Sequence, residues 1–287
     1  MSKVLVYSFN INIVNKVVIP SLKNLNHDVD FINVGRTNVS VDHYDRLVTL
    51  GWNSNIRSVV DNFNKHSKPL LCISDGYIKS NRDYGNTGNQ NSGKGYFAIT
   101  RNRLNAYGYH EYEENLPSDR WNTLNVPLKP WNTNGDYVLI AHQNEGDCLG
   151  RNRKDCFIEL IKECKSLNRE IIISTHPKIR KTDRLYKAAL NDLKEFEKMG
   201  CIIKSGTKNL LPNSLLLATY DSNAAVDSVL SGKPIYTCGK TMADMVKSSD
   251  IHNLNYPDRS SWCNWIAYQQ WTESEMLTGE AFHYFGF

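Results

Sequence analysis

The sequence predicts an α/β protein built from two Rossmann-like domains, and three observations carry the prediction. Short apolar runs of strand length recur along the chain, separated by segments with helical periodicity. Alternation of that kind gives parallel sheets with helical crossovers. The pattern breaks once, where Pro117, Pro127 and Pro130 stand among Trp121 and Trp131, a composition that marks a boundary between domains. Finally, Leu215 to Cys238 reads as a whole βαβ unit. An apolar run over Leu215 to Ala218 meets a polar turn, and a helix follows with Ala224, Ala225, Val226, Val229 and Leu230 on one face. Ser231-Gly232 stops that helix and Pro234 restarts the chain as a second strand, Ile235 to Cys238.

Taken in order, Lys3 to Ser8 is the first strand, and Ile13, Val17, Val18 and Leu22 lie on the helix after it. His27 to Val34 and Tyr44 to Trp52 are the next strands, Asn53 to His66 a helix, and Lys68 to Ser74 a fourth strand that stops at Asp75-Gly76. Residues 1–115 therefore form one domain, 116–135 a linker and 136–260 a second domain. That second domain opens with a strand over Tyr137 to Ala141 and a helix over about Asn152 to Leu167. A strand over Glu170 to Ser174, a charged helix over Asp183 to Met199 and a short strand at Cys201 to Ile203 lead into the βαβ unit. Residues 261–287 read as helices that cross back, with Trp262, Trp265 and Tyr268 on one face and Trp271 continuing the row.

At 287 residues the chain can bury a large core, and its 40% apolar content argues against wholesale disorder. The net charge of +4 neither requires nor repels a nucleic-acid partner. No apolar run is long enough to span a bilayer, and the amino terminus turns polar too quickly for a signal peptide, so a cytoplasmic protein is expected. Seven cysteines without a CxxC pair support neither a zinc knuckle nor a redox motif; Cys156 and Cys164 read as core or near-core thiols. Gly88 to Gly95 nearly spells a phosphate-binding P-loop. Gly95 stands where a magnesium-holding hydroxyl belongs and no strand precedes Gly88, so that reading is rejected.

Two places draw chemistry. Asp75 directly follows a buried strand, where the carboxyl-end crevice of an α/β sheet lies. A long polar, glycine-rich loop follows it, with Lys79, Arg82 and Lys94, and then Arg101 and Arg103. In the βαβ unit, Asp221, Ser222 or Asn223 caps a helix whose N-terminus faces the same kind of crevice, and anions bind there.

This βαβ unit resembles the donor-binding core of GT-B glycosyltransferases. The resemblance implies that the Ser222-Asn223 turn meets a donor phosphate and that Asp227 takes the ribose hydroxyls. Within that fold the chain looks most like phage DNA β-glucosyltransferases, through Tyr44-Asp45-Arg46-Leu47-Val48 and the strand from Lys68 to Asp75. It implies that Asp75 is the catalytic base, that the basic group Lys79, Arg82, Lys94, Arg101 and Arg103 approaches double-stranded DNA, and that Arg151 and Arg153 bind the donor pyrophosphate. A second likeness, to bacterial capsule glycosyltransferases, rests on Thr175-His176-Pro177-Lys178, Ser222-Asn223 and Ser231-Gly232-Lys233-Pro234, and brings in His176. The expected activity is transfer of a sugar from a nucleotide sugar, a UDP-sugar by preference, to a hydroxyl. The hydroxyl is that of a 5-hydroxymethylpyrimidine in phage DNA, with a capsule or lipopolysaccharide glycan as the alternative acceptor. A silent nucleotide-sugar or nucleic-acid binding protein is the third reading. Positive groups on the diphosphate can stand in for a metal, so none is required, while Mg²⁺ is compatible.

Overall fold

The computed structural model describes residues 1–34, 39–51, 54–80, 95–104, 107, 113, 115–143, 153–175 and 184–287, with backbone alone at 153 and 184–188. The chain divides into two compact units, Met1–Leu124 with Cys263–Phe287, and Asn125–Trp262.

The first unit begins with β1 (Lys3–Ser8), whose side chains beyond Lys3 are all buried. The helical stretch after it is α1 (Ile11–Ile13), a π-helical turn over Val14–Val18, and α2 (Ile19–Asn24). Then come β2 (Asp28–Asn33), β3 (Arg46–Leu50), α3 (Ser54–Lys65) and β4 (Leu70–Asp75). These four strands pair in parallel. Both faces of the sheet are covered, which is why the strands read as unbroken apolar runs. On one face Val4, Val6, Val48 and Ile73 pack with Val14, Val18 and Leu22; on the other Leu5, Leu47 and Cys72 pack with Ile56, Val60 and Phe63 of α3.

Two further strands depart from the sequence reading. β5 (Tyr96–Arg101) runs antiparallel to β4, and β11 (Gln270–Thr272) runs antiparallel to β5. The order among the described residues is β11-β5-β4-β3-β1-β2. Trp271 thus belongs to a strand and not to the helical row of Trp262, Trp265 and Tyr268, which lies on α9 (Ser260–Tyr268). Three residues are too few to show a period of two, and its spacing from Tyr268 imitates a helix.

Arg120 holds this edge. It sits on α4 (Asp119–Leu124) and donates to the carbonyls of Gln270 at 2.8 Å and Ala267 at 3.3 Å. It also donates to Glu275 at 2.6 Å while its guanidinium lies 3.8 Å from the centre of the Trp271 ring. Glu275 belongs to α10 (Glu273–Leu277), where it completes a capping box with Thr272. α11 (Glu280–Tyr284) then places Phe282 and Phe285 in the core.

The second unit is a wholly parallel sheet among the described residues, ordered β10-β9-β6-β7-β8. Its elements are β6 (Tyr137–Ala141), α5 (Arg153–Lys165), β7 (Glu170–Thr175), α6 (Arg184–Lys198) and β8 (Ile202–Ser205). They continue with α7 (Thr207–Leu210), β9 (Ser214–Thr219), α8 (Ala224–Leu230) and β10 (Ile235–Thr237). The core sets Val138, Ile140, Ile173 and Leu216 against Phe157, Ile161, Leu193 and Phe196, with Cys164 among them. Cys156 and Cys164 are both buried thiols.

The proline-rich segment before β6 is clamped to the C-terminal end of α8. Gly232 is left-handed at φ +73°, and a Cβ there would stand 2.0 Å from the Pro130 carbonyl oxygen. Arg259 donates to the carbonyls of Val229 at 2.5 Å and Lys129 at 2.6 Å and lies over Trp131. Lys233 is fully buried and donates to the Asn134 carbonyl at 2.6 Å, and burial lowers its pKa.

The Arg120–Glu275 pair makes stability pH-dependent. Burial pushes the Glu275 carboxyl up, but the hydrogen bonds from Arg120 and Thr272 outweigh it and hold the group below the ordinary 4.5. A carboxyl depressed in the folded state stabilises fully above its unfolded value and loses that contribution as pH falls through the folded one. Urea midpoints should therefore drop as pH is lowered below about 4.5, and Glu275→Gln should flatten this fall.

Candidate functional site

In the second sheet the chain enters at β6, moves outward through β7 and β8, and returns on the other side with β9 and β10. The order reverses between β6 and β9, and ligands of open α/β sheets bind outside the carboxyl ends at such a reversal. The residues that leave those two strands are tied across the gap. Gln143 is 3% exposed; its amide N–H donates to an Asp221 carboxylate oxygen, and its amide oxygen accepts the Asp221 backbone N–H at 3.0 Å. The Thr219 hydroxyl donates to the Ala141 carbonyl at 3.1 Å, bracing the same gap. His142 is buried against Phe157 and Phe196, with ring centres 5.0 and 6.1 Å away.

Beyond Asp221 the turn opens toward α8. The Ser222 hydroxyl accepts the Ala224 N–H at 3.2 Å, while Asn223, at the cap position itself, makes no side-chain capping bond. Of the three expected caps, Ser222 is the one whose side chain holds the helix start, and Asp221 is engaged by Gln143. Asp227 lies in the first turn of α8 and faces Lys208 of α7, whose ammonium is 3.3 Å from the carboxylate. Next to Lys208, the Thr207 hydroxyl is 2.8 Å from that of Ser174 near the carboxyl end of β7. Ser222 and Asp227 thus follow β9, Thr207 and Lys208 follow β8, and the Asp227–Lys208 pair joins the two segments. α8 is only seven residues long, so its field is weaker than that of a long helix. Ser231 to Pro234 lies at the opposite end of α8 from Ser222 and belongs to the clamp on the proline-rich segment.

In the first unit Asp75 is the last residue of β4 and is half-buried. A Cβ on Gly76 would stand 2.5 Å from the Tyr96 carbonyl oxygen, so the turn after Asp75 requires glycine. The next two backbone N–H groups, of Tyr77 and Ile78, both donate to the side-chain oxygen of Gln270, at 3.1 and 2.9 Å. Lys79 follows at φ +48°.

The expected group of cations beside Asp75 is divided by the sheet. Asp75 pairs with Phe97, whereas Arg101 pairs with Leu71, four residues back along β4 and about 13 Å away. Arg101 lies over the Phe285 ring and Arg103 pairs with Asp61 at 3.2 Å. Proximity in sequence runs here along an antiparallel strand and carries both arginines away from the aspartate. Arg153 is the first residue of α5; Arg82, Lys94, Arg151, His176 and the rejected motif at residues 88–94 lie outside the described residues. Gln143, Gln270 and Lys208 were not anticipated, because a glutamine after a strand or a lysine in a one-turn helix has no distinctive pattern. Among the described residues no group of three or more His, Cys, Asp or Glu side chains is placed to hold a metal ion, and no helix is long and apolar enough to cross a membrane.

No protein-family model and no curated protein matches the sequence. Solved structures do match the fold. The beta Kdo 2,7 transferase of Thermosulfurimonas dismutans KpsC aligns over 98% of this chain and 99% of its own, with a TM-score of 0.53 at 14% identity. The beta Kdo 2,4 transferase of the same protein aligns over 95% and 97%, with a TM-score of 0.51 at 14% identity. The chain therefore has the two Rossmann-like units of the GT-B type, as expected from its sequence. At this identity the likeness speaks for the fold.

Gln143 is the tie across the β6–β9 gap. Gln143→Leu should lower unfolding free energy by about 1–3 kcal/mol, the loss for a buried hydrogen-bonding partner, measured by urea denaturation.

Proposed function

We propose that the chain is a GT-B glycosyltransferase that binds a nucleotide sugar at the carboxyl edge of the second sheet and passes the sugar to a hydroxyl acceptor. The observation that carries the reading is the reversal of strand order at β6 and β9, with the Ser222 turn leaving β9 and Asp227 in the first turn of the helix that follows. In this reading Asp227 takes the ribose hydroxyls. Lys208 and the start of α8 face the diphosphate, where charge grows as the leaving group departs. The acceptor oxygen bonds to the anomeric carbon as the bond from that carbon to the diphosphate oxygen breaks. The hydroxyl proton passes to the carboxylate of Asp75.

For the acceptor we favour a glycan. Two of the five cations that argued for DNA, Arg101 and Arg103, stand at the far end of β4 and serve aromatic and ion-pair contacts. Two structures that share the fold over nearly the whole chain are named as beta Kdo transferases. The deciding assay offers UDP-, GDP-, ADP- and CMP-activated sugars with oligosaccharide primers, and in parallel with duplex DNA containing hydroxymethylpyrimidines, and reads products by mass spectrometry. Transfer to a primer is expected. Transfer to the modified DNA alone would replace the glycan reading and leave the donor site standing.

Asp227→Ala should weaken nucleotide binding by roughly 1.5–3 kcal/mol, as for a charge-assisted hydrogen bond, measured by calorimetry. Lys208→Ala removes the ion pair together with a proposed diphosphate contact, and should weaken binding too. Unchanged affinity of Asp227→Ala for every nucleotide that binds the parent protein would remove Asp227 from the site. Asp75→Asn should lower kcat by roughly 10²–10⁴-fold with donor affinity unchanged; normal turnover would remove Asp75 as the base.

A further inference from the structure

We propose that Gln270 is a positioning residue for Asp75, acting through the turn that follows β4. The inference rests on the reading of Asp75 as the base. Gln270 lies nearly two hundred positions along the chain from that turn, yet its amide oxygen accepts both the Tyr77 and the Ile78 backbone N–H. The Gly76 N–H is taken by the Tyr96 carbonyl at 2.9 Å. Three successive N–H groups after Asp75 are therefore fixed, two of them by one side chain that is wholly buried.

The amide is held from behind as well. Its backbone carbonyl accepts from Arg120, and its strand pairs with β5, the strand that also pairs with Asp75. The side-chain Nε2 has no hydrogen-bond partner among the described residues. Burying an unmatched donor is unfavourable, so what distinguishes glutamine from an apolar side chain of the same length here is its oxygen. That oxygen takes the place of a strand carbonyl where the chain leaves the ladder.

The link to chemistry is geometric. A base must reach the acceptor hydroxyl within hydrogen-bonding distance. A misplacement of about 1 Å lowers rate by about a hundredfold. A loosened turn at residues 76–78 frees the end of β4 and with it the Asp75 carboxylate. The donor crevice is built from the second unit's residues, so donor affinity is spared.

The test compares Gln270→Met, which keeps length and loses the acceptor, with Gln270→Glu, which keeps an acceptor oxygen. Amide hydrogen exchange at Tyr77 and Ile78 should speed up by about tenfold or more in Gln270→Met, as expected when a hydrogen bond worth about 1.4 kcal/mol is lost, with β1 and β3 unchanged. On the nucleotide sugar turned over by the parent protein, kcat should fall about 10–100-fold and donor KM stay within about twofold. Gln270→Glu should recover much of the rate. Should Gln270→Met not fold, Gln270→Asn, whose oxygen is withdrawn by one methylene, carries the same expectations. Unchanged exchange at both amides, or an unchanged kcat in a variant whose exchange has quickened, overturns the proposal. Asp75→Asn is run alongside. If it retains turnover the base reading has failed, whereas loss in Asp75→Asn with full activity in Gln270→Met rejects the Gln270 role alone.

Discussion

Arg120 sets its guanidinium over the Trp271 ring and directs its N–H groups at two carbonyls and a carboxylate, all on the segment from Ala267 to Glu275. A planar, permanently charged fork suits this task, because one rigid group can satisfy several acceptors while its face covers an aromatic ring. The strand it secures is only three residues long and would be marginal alone. Once secured, that strand covers the edge of β5, buries Trp271 and brings Gln270 under the turn that follows Asp75.

The second unit solves a similar problem with other residues. Where strands end, backbone groups lose their ladder partners and must find others. Gln270 does this after β4, and Gln143 does it after β9. A primary amide offers a donor and an acceptor without charge, so it can be buried at lower cost than a carboxylate or an ammonium. Both turns that matter to the proposed chemistry are thus set by neutral amides just behind them, and the charged residues of interest, Asp75, Asp227 and Lys208, are left at least partly open to solvent.

The parallel strands were legible because sheets covered on both faces need continuous apolar runs, as in Leu215 to Ala218 and Leu70 to Ile73. The place of Asp75 at a strand end and of Asp227 in the first turn of a helix followed from those runs. β5 and β11 were not legible. Tyr96 to Arg101 lies just beyond a polar loop, in a stretch to which the sequence reading assigns no element, and Gln270 to Thr272 is shorter than any period. That omission propagated to the site, because an antiparallel strand reverses direction and turns neighbours in sequence into opposite ends in space. The ties made by Gln143, Gln270 and Lys208 depend on tertiary contacts between distant segments, which no local pattern records.

The pairing of β11 with β5 joins residues 270–272 to residues 96–98. Chain growth on the ribosome is roughly 5–20 residues per second. The first five strands therefore wait many seconds with the β5 edge bare, while the second unit, continuous from Asn125 to Trp262, has all its residues in hand sooner. An uncovered strand edge invites pairing with other chains. The unit synthesised first is thus completed last, and its most vulnerable interval is during its own biosynthesis.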